Sequence, residues 1–403
     1  MNITQQLNIF IKKPAVKSAG IYTFSNFFSK SVGFFLLFIY SNPRYLNVDE
    51  NGLLSLLTGA IAIFVPFLSL GIVHSTGVEF FKLKKNEFKD FFTTGFVFPF
   101  IALTLGMAGL YFFKTDLKNS YQFPASFAFI IPIIAFFTFC NELLVTLIRS
   151  NDEPATYLKM SLLRLVIEAS LSILLVVNFA MRWQGRVIAM ILACAVLFVA
   201  AFFYFKEKGY LFGRIRFKYL KDELKYGVPI IIFQGSSFCL FSSDKFFLSY
   251  FDGNGHVGIY AYVCTFCAVL SIGCTAVLNY ILPKIYEHLS QPNINYGQIR
   301  TYFVYYFYFA FSSLLCIIAF TPLVYKYFIN EKYYPGLSYL YLVAIGYFFW
   351  NINYFFYSFL LYKKNKKKIF LLSVFSIAIS IGSNYVFIKN WHSQGAAFRC
   401  RQR

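Results

Sequence analysis

Six ionisable side chains stand inside apolar stretches of this chain. Lys30 lies in SNFFSKSVGFF, Glu142 in FCNELLVTL, Arg164 and Glu168 in SLLRLVIEASL, and Asp244 and Lys245 side by side in SSDKFFLSYF. Each such charge costs about 2.5–3.5 kcal/mol near a bilayer centre, and groups of this kind face a bundle interior or a wet cavity. The chemistry open to three cations and three anions at that depth is the holding of an anion or the binding of a coupling ion. Arg164 and Glu168 are four residues apart, so they share a helix face and can pair. Asp244 and Lys245 are adjacent, about 100° apart on a helix, and need outside partners. Lys30 or Glu142 across the bundle, or a ligand, could serve. For Lys245 the competing reading is a cation snorkelling to the nearby interface, which is also the simplest account of Lys326. Cys264 and Cys267 form a CxxC in YVCTFCAVL, but no second pair at zinc spacing accompanies them. No metal and no cofactor is expected.

The elements that must position these groups are membrane helices. The chain of 403 residues is 58% hydrophobic and only 13% charged, against about 25% charged in soluble domains. Its charges cluster in strips between apolar runs long enough to cross a bilayer, which takes about 20 residues. The runs predict eleven spans, at 18–40, 51–74, 91–113, 120–148, 157–180, 185–205, 226–250, 256–282, 301–329, 336–362 and 367–388. KKPAVKSAG leads straight into the first span, so no cleavable signal peptide is read. The strips on the side of the N-terminus hold 23 Lys and Arg and the opposite strips hold 7. The positive-inside rule then makes the N-terminus cytoplasmic. The net charge of +20 sits in those strips, so nucleic acid is excluded as a partner and membrane lipid is the expected one. Pro66, Pro99, Pro132, Pro229 and Pro322 fall within or at the ends of spans, where membrane helices tolerate bending.

The chain reads as a tandem repeat with a shift of about 206 residues. NGLLSLL (51–57) falls over VGIYAYV (257–263), and Trp183-Gln184-Gly185 is echoed in Trp391-His392-Ser393-Gln394-Gly395. The predicted fold is all-α, with two six-helix bundles around a central V-shaped cavity. Its parts are an N-terminal bundle at 1–205, a basic cytoplasmic loop at 206–225 and a C-terminal bundle at 226–403. Repeats of this kind place a transporter's substrate site between the halves. A twelfth span should open near 391. GAAFRCRQR follows instead, and its three arginines cannot continue a span. The expected arrangement is therefore eleven spans and an aborted twelfth, with the C-terminal bundle truncated.

A family resemblance enters on specific residues. KSAGIYTFSNFFSKSVGFFLLFIYSNPRYLNVDENGLLSLL is similar to the first two helices of Wzx-type polysaccharide (O-antigen or capsule) flippases. These belong to the multidrug/oligosaccharidyl-lipid/polysaccharide exporter superfamily. Asn26, Lys30, Arg44 and Glu50-Asn51-Gly52 match the first half of that pattern, and Gly227, Pro229, Asp244, Lys245, Gly258 and Tyr260 the second. The resemblance implies alternating-access movement of an undecaprenyl-diphosphate-linked oligosaccharide from the inner to the outer leaflet of a bacterial cytoplasmic membrane, for polysaccharide biosynthesis. It also implies a coupling ion, H+ or Na+, and association with a polysaccharide polymerase complex. Lys30, Arg164, Lys245 and Asn26 would touch substrate; Asp244, Glu142 and Glu168 would be cavity or coupling acids.

Two other classes compete. A cation-coupled multidrug exporter prefers an acidic cavity, whereas here cations and anions balance. A membrane glycan polymerase or glycosyltransferase needs catalytic groups in sizeable loops, and the longest outer loop, 41–50, holds no such cluster. The expected protein is not an enzyme. Tyr and Phe together number 85; aromatic faces could stack on sugars in a cavity, although lipid-facing bulk explains most of them.

Overall fold

The computed structural model describes residues 33–290, 296–362 and 366–401. Lys30 and Asn26 lie outside the described residues. All the described secondary structure is helical, and each expected span has its helix. The first is seen from 33 to 40. The others follow as Val48–Ser69, Lys85–Phe112, Phe127–Ser150, Pro154–Ile173, Arg182–Glu207, Phe217–Phe241 with Ser243–Asp252, Asn254–Ser290, Tyr296–Phe328, Leu337–Tyr362 and Lys366–Arg401. Among the described residues, eight helices are long and apolar enough to cross a membrane.

Sequence explains several of the joints. Asn47 and Glu50 form a reciprocal cap. The Glu50 N–H donates to Asn47 Oδ1 at 2.7 Å and the Asn47 N–H to Glu50 Oε2 at 2.9 Å. Two orphan donors at a helix start are satisfied in this way. Leu70 and Gly71 take positive φ, 44° and 77°, and separate Val48–Ser69 from the short Ile72–Glu79 helix. Pro66, Pro99, Pro132 and Pro322 all sit inside helices.

Residues 391–401, read as the aborted twelfth span, carry helical hydrogen bonding onward from Lys366. That stretch cannot be straight. A Cβ on Gly395 would overlap the Phe387 carbonyl eight residues earlier, whereas eight residues of straight helix cover about 12 Å. The chain folds back near the expected start of a twelfth span.

The described chain sorts into two compact units. One contains Ala60–Asp116 and Pro124–Ile231; the other contains Leu37–Gly59, Leu117–Phe123 and the chain from Ile232 onward. The Val48–Ser69 helix is thus divided, its residues up to Gly59 belonging to the second unit and those from Ala60 to the first.

In the first unit, the basic stretch after Glu207 is strapped to the start of the Lys85–Phe112 helix. Asp90 Oδ1 accepts the Arg214 N–H at 2.7 Å, its Oδ2 pairs with Arg216 at 2.8 Å, and the Arg216 N–H reaches Thr94 Oγ1 at 3.0 Å. Arg216 is half exposed, so its ion pair adds little; the backbone bond to a buried carboxylate carries more, about 1.5 kcal/mol. Asp90→Ala should therefore speed tryptic cleavage at Arg214 and Arg216 roughly tenfold, through a larger open population. An unchanged cleavage rate would mean that other contacts hold the strap.

Candidate functional site

The first unit carries a charged cluster on two of the candidate membrane-spanning helices. Glu168 is the fifteenth residue of Pro154–Ile173, about 21 Å along it. It lies between two guanidinium groups. Arg186 Nη2 meets Oε1 at 2.7 Å and Arg164 Nε meets Oε2 at 3.5 Å. Arg186 Nη1 also donates to Ser172 Oγ at 3.3 Å. The side chains of Glu168 and Arg186 are only 11% and 12% exposed, while Arg164 is 36% exposed. Arg186 is therefore the anchor and Arg164 the more available cation. Glu142, on the Phe127–Ser150 helix, is within Coulombic reach of Arg164. Arg164, Glu168 and Glu142, expected from the sequence, are thus brought together.

The sequence does not single out Arg186, which counts there as one of the seven cations of the strips opposite the N-terminus. It is only the fifth residue of Arg182–Glu207, and its partner lies 18 positions away on another helix. The available signal was a buried-side acid on the preceding helix with two basic residues, Arg182 and Arg186, one turn apart at the next helix start.

In the second unit, the seventh span is broken beside the Asp-Lys pair. Ser242, at φ −135°, separates Phe217–Phe241 from Ser243–Asp252. Asp244 falls in the first turn of the second piece, where a helix N-terminus favours an anion. It is 1% exposed. Its Oδ1 accepts the Lys245 N–H at 3.0 Å and its Oδ2 accepts the Tyr260 hydroxyl at 2.9 Å. The outside partner that Asp244 needs thus includes a tyrosine from the next helix. Lys245 is half-buried, and among the described residues none forms an ion pair with it. The Ser242-Ser243-Asp244 run is a helix-start signature that the surrounding apolar residues concealed.

Glu50-Asn51-Gly52 acquires a physical role in the same unit. Asn51 is buried and its Nδ2 donates to the Tyr40 and Asn47 carbonyls, both at 3.1 Å, and to the Tyr333 hydroxyl at 2.6 Å. Tyr333 stacks on Tyr262 with centroids 4.0 Å apart. Gly52 then lets Val48–Ser69 cross Asn254–Ser290 at backbone distance. A Cβ on Gly52 would overlap the Asn254 carbonyl and lie 3.0 Å from Gly258 N; a Cβ on Gly258 would overlap the Val48 carbonyl and lie 3.2 Å from Gly52 N.

No protein-family profile matches the chain. It is 25% identical over 352 residues to a Haemophilus influenzae Lsg locus protein, covering 83% of this chain and 84% of that one. It is 21% identical over 377 residues to an uncharacterised membrane protein of the same organism, covering 91% and 89%. Among solved structures it resembles the lipid II flippase MurJ in an inward closed conformation, with a TM-score of 0.75 at 15% identity, covering 94% of this chain and 84% of that one. It also resembles an inward-facing MATE-family multidrug transporter of the MOP superfamily, with a TM-score of 0.69 at 14% identity, covering 91% and 92%. The chain is a multi-pass helical membrane protein with the fold of MATE and MurJ transporters.

Proposed function

We propose that the chain flips an undecaprenyl-diphosphate-linked oligosaccharide from the inner to the outer leaflet of the bacterial cytoplasmic membrane, by alternating access, for O-antigen, capsule or exopolysaccharide synthesis. The observation that carries this reading is the Arg164–Glu168–Arg186 cluster, in which one carboxylate fixes two guanidinium groups on candidate membrane-spanning helices. Such a cluster favours an anion, and the planar fork of arginine suits phosphate oxygens. One fold relative, the lipid II flippase MurJ, supports the same substrate class. In this reading Lys30, Arg164 and Lys245 contact the diphosphate and Asn26 lies beside it. Glu142, Glu168 and Asp244 keep the anion from being held too tightly or bind the coupling ion, H+ or Na+. The N-terminus faces the cytoplasm. The two repeats form the bundles 1–205 and 226–403, with a polysaccharide polymerase as a functional partner.

The second reading is a cation-coupled exporter of drugs, favoured by the MATE likeness. Proteoliposomes separate the two. The protein should move a fluorescent undecaprenyl-diphosphate glycan across the bilayer and leave cationic dyes in place. Lys30→Gln should abolish glycan movement at matched protein levels, and Lys30→Arg should keep part of it because the charge survives. Transport of dyes but not glycan would reverse the assignment.

A further inference from the structure

The second unit holds a partly open cavity of about 320 Å³, and among its described lining residues none is charged. That size lies within the range of small-molecule sites, about 300–1,000 Å³. The helix Leu337–Tyr362 supplies most of its character. Trp350, Asn353, Tyr354 and Tyr357 stand at i, i+3, i+4 and i+7, so they share one face. Ser236 on Phe217–Phe241 and Ser376 on Lys366–Arg401 face the same space.

The neighbouring face of Leu337–Tyr362 is fixed elsewhere. Asn351 Nδ2 donates to Ser271 Oγ at 2.8 Å, the Asn351 carbonyl accepts the Tyr306 hydroxyl at 3.0 Å, and the Ser358 carbonyl accepts the Tyr286 hydroxyl at 3.2 Å. Phe355 is buried against Phe303 and Tyr306. On the opposite wall Ser380 Oγ donates to the Cys239 carbonyl, and Asn384 Nδ2 donates to Ser243 Oγ at 2.8 Å. The cavity is therefore a gap between anchored helices. Asn353 is exposed in the middle of an apolar helix; an amide left facing hydrocarbon would be costly, so the space it faces suits a polar occupant.

We propose that this cavity binds one pyranose ring of the transported glycan, an inference that rests on the function proposed above. A pyranose presents C–H faces that lie flat on aromatic rings and an equatorial rim of hydroxyls. Trp350, Tyr354 and Tyr357 match the faces, while Asn353, Ser236 and Ser376 match the rim. Other occupants fit less well. A polyprenyl tail leaves the amide and hydroxyls unmatched. Among the described lining residues a phosphate finds no cation, and a cationic drug finds aromatic faces but no acid. Substrate recognition is then divided: diphosphate at the arginine cluster, sugar here.

Native mass spectrometry of the full chain in nanodiscs tests this. The probes are bare undecaprenyl diphosphate and undecaprenyl diphosphate carrying glucose, galactose or N-acetylglucosamine. At least one glycosylated lipid should bind about tenfold more tightly than the bare lipid, a difference of about 1.4 kcal/mol. Asn353→Ala and Trp350→Phe should remove that preference and leave bare-lipid binding unchanged. Asn353 is exposed, so its replacement spares the packing. Arg164→Gln should weaken all four lipids alike. Equal binding of all four lipids, or a sugar preference that survives both cavity variants, overturns the cavity assignment alone. Failure of every lipid to bind overturns the flippase reading and the cavity assignment together.

Discussion

Gly258→Ala is expected to lower the stability of the purified protein by about 2–3 kcal/mol and to reduce glycan export sharply. The added methyl overlaps the Val48 carbonyl, a backbone atom on a helix that Asn51 already ties to Tyr40 and Tyr333. No side chain can swing aside, so the two helices must part, and forced overpacking costs energy of this size. Gly52→Ala meets the Asn254 carbonyl in the same way and should behave alike. Gly109→Ala is the control. No atom lies within 4 Å of its added Cβ, and replacing a helical glycine with alanine is neutral or gains about 0.5–1 kcal/mol. Thermal melting in detergent at equal expression reads all three. Wild-type melting by Gly258→Ala would show that the crossing has slack.

Removing the anchor of the charged cluster should be at least as damaging. Arg186→Met takes away the 2.7 Å partner of Glu168 and leaves a largely buried carboxylate with the looser Arg164. Breaking a buried pair from one side costs about 3–5 kcal/mol. Arg164→Gln should differ in kind. Its side chain is 36% exposed and 3.5 Å from Glu168, so stability should fall by no more than about 1 kcal/mol. The proposed glycan export should nevertheless stop, because in that reading the exposed guanidinium is the one that meets the anion. Melting and export measured together separate the two arginines. If Arg164→Gln exports normally, that arginine is a packing group and the proposed diphosphate contact is lost.

The sequence and the structure part at identifiable residues. Ten of the expected helices, and the end of the first at 33–40, were legible because a bilayer sets a minimum length and the charge strips alternate in number. The break at Ser242 was hidden because Ser242-Ser243-Asp244 sits inside one uninterrupted apolar run, and helix-start chemistry reads weakly there. Arg186 was hidden by its position. A cation four residues into a helix looks interfacial until the packing of the previous helix shows Glu168 at the same depth. The aromatic cavity was obscured by composition. With 85 Tyr and Phe residues in the chain, the stripe at 350, 353, 354 and 357 stands out only once the neighbouring face is seen to be occupied by Asn351 and Phe355. Asn51 and Gly52 could be marked from resemblance, but their reasons are contacts with Tyr333 and Gly258, more than 200 positions away.

Gly52 and Gly258 are separated by the repeat shift of about 206 residues, and each lies against the other's backbone nitrogen. In a two-fold arrangement only residues on the axis meet their own counterparts; all others meet a different position. On the tandem repeat expected from the sequence, the mutual contact would mark a place where a short ancestral chain paired with a second copy of itself before the two were fused. In such an ancestor one codon would have set both glycines, and any change would have struck both helices at once. Fusion would have given each position its own codon, so that one side of the axis could drift while the other held the crossing.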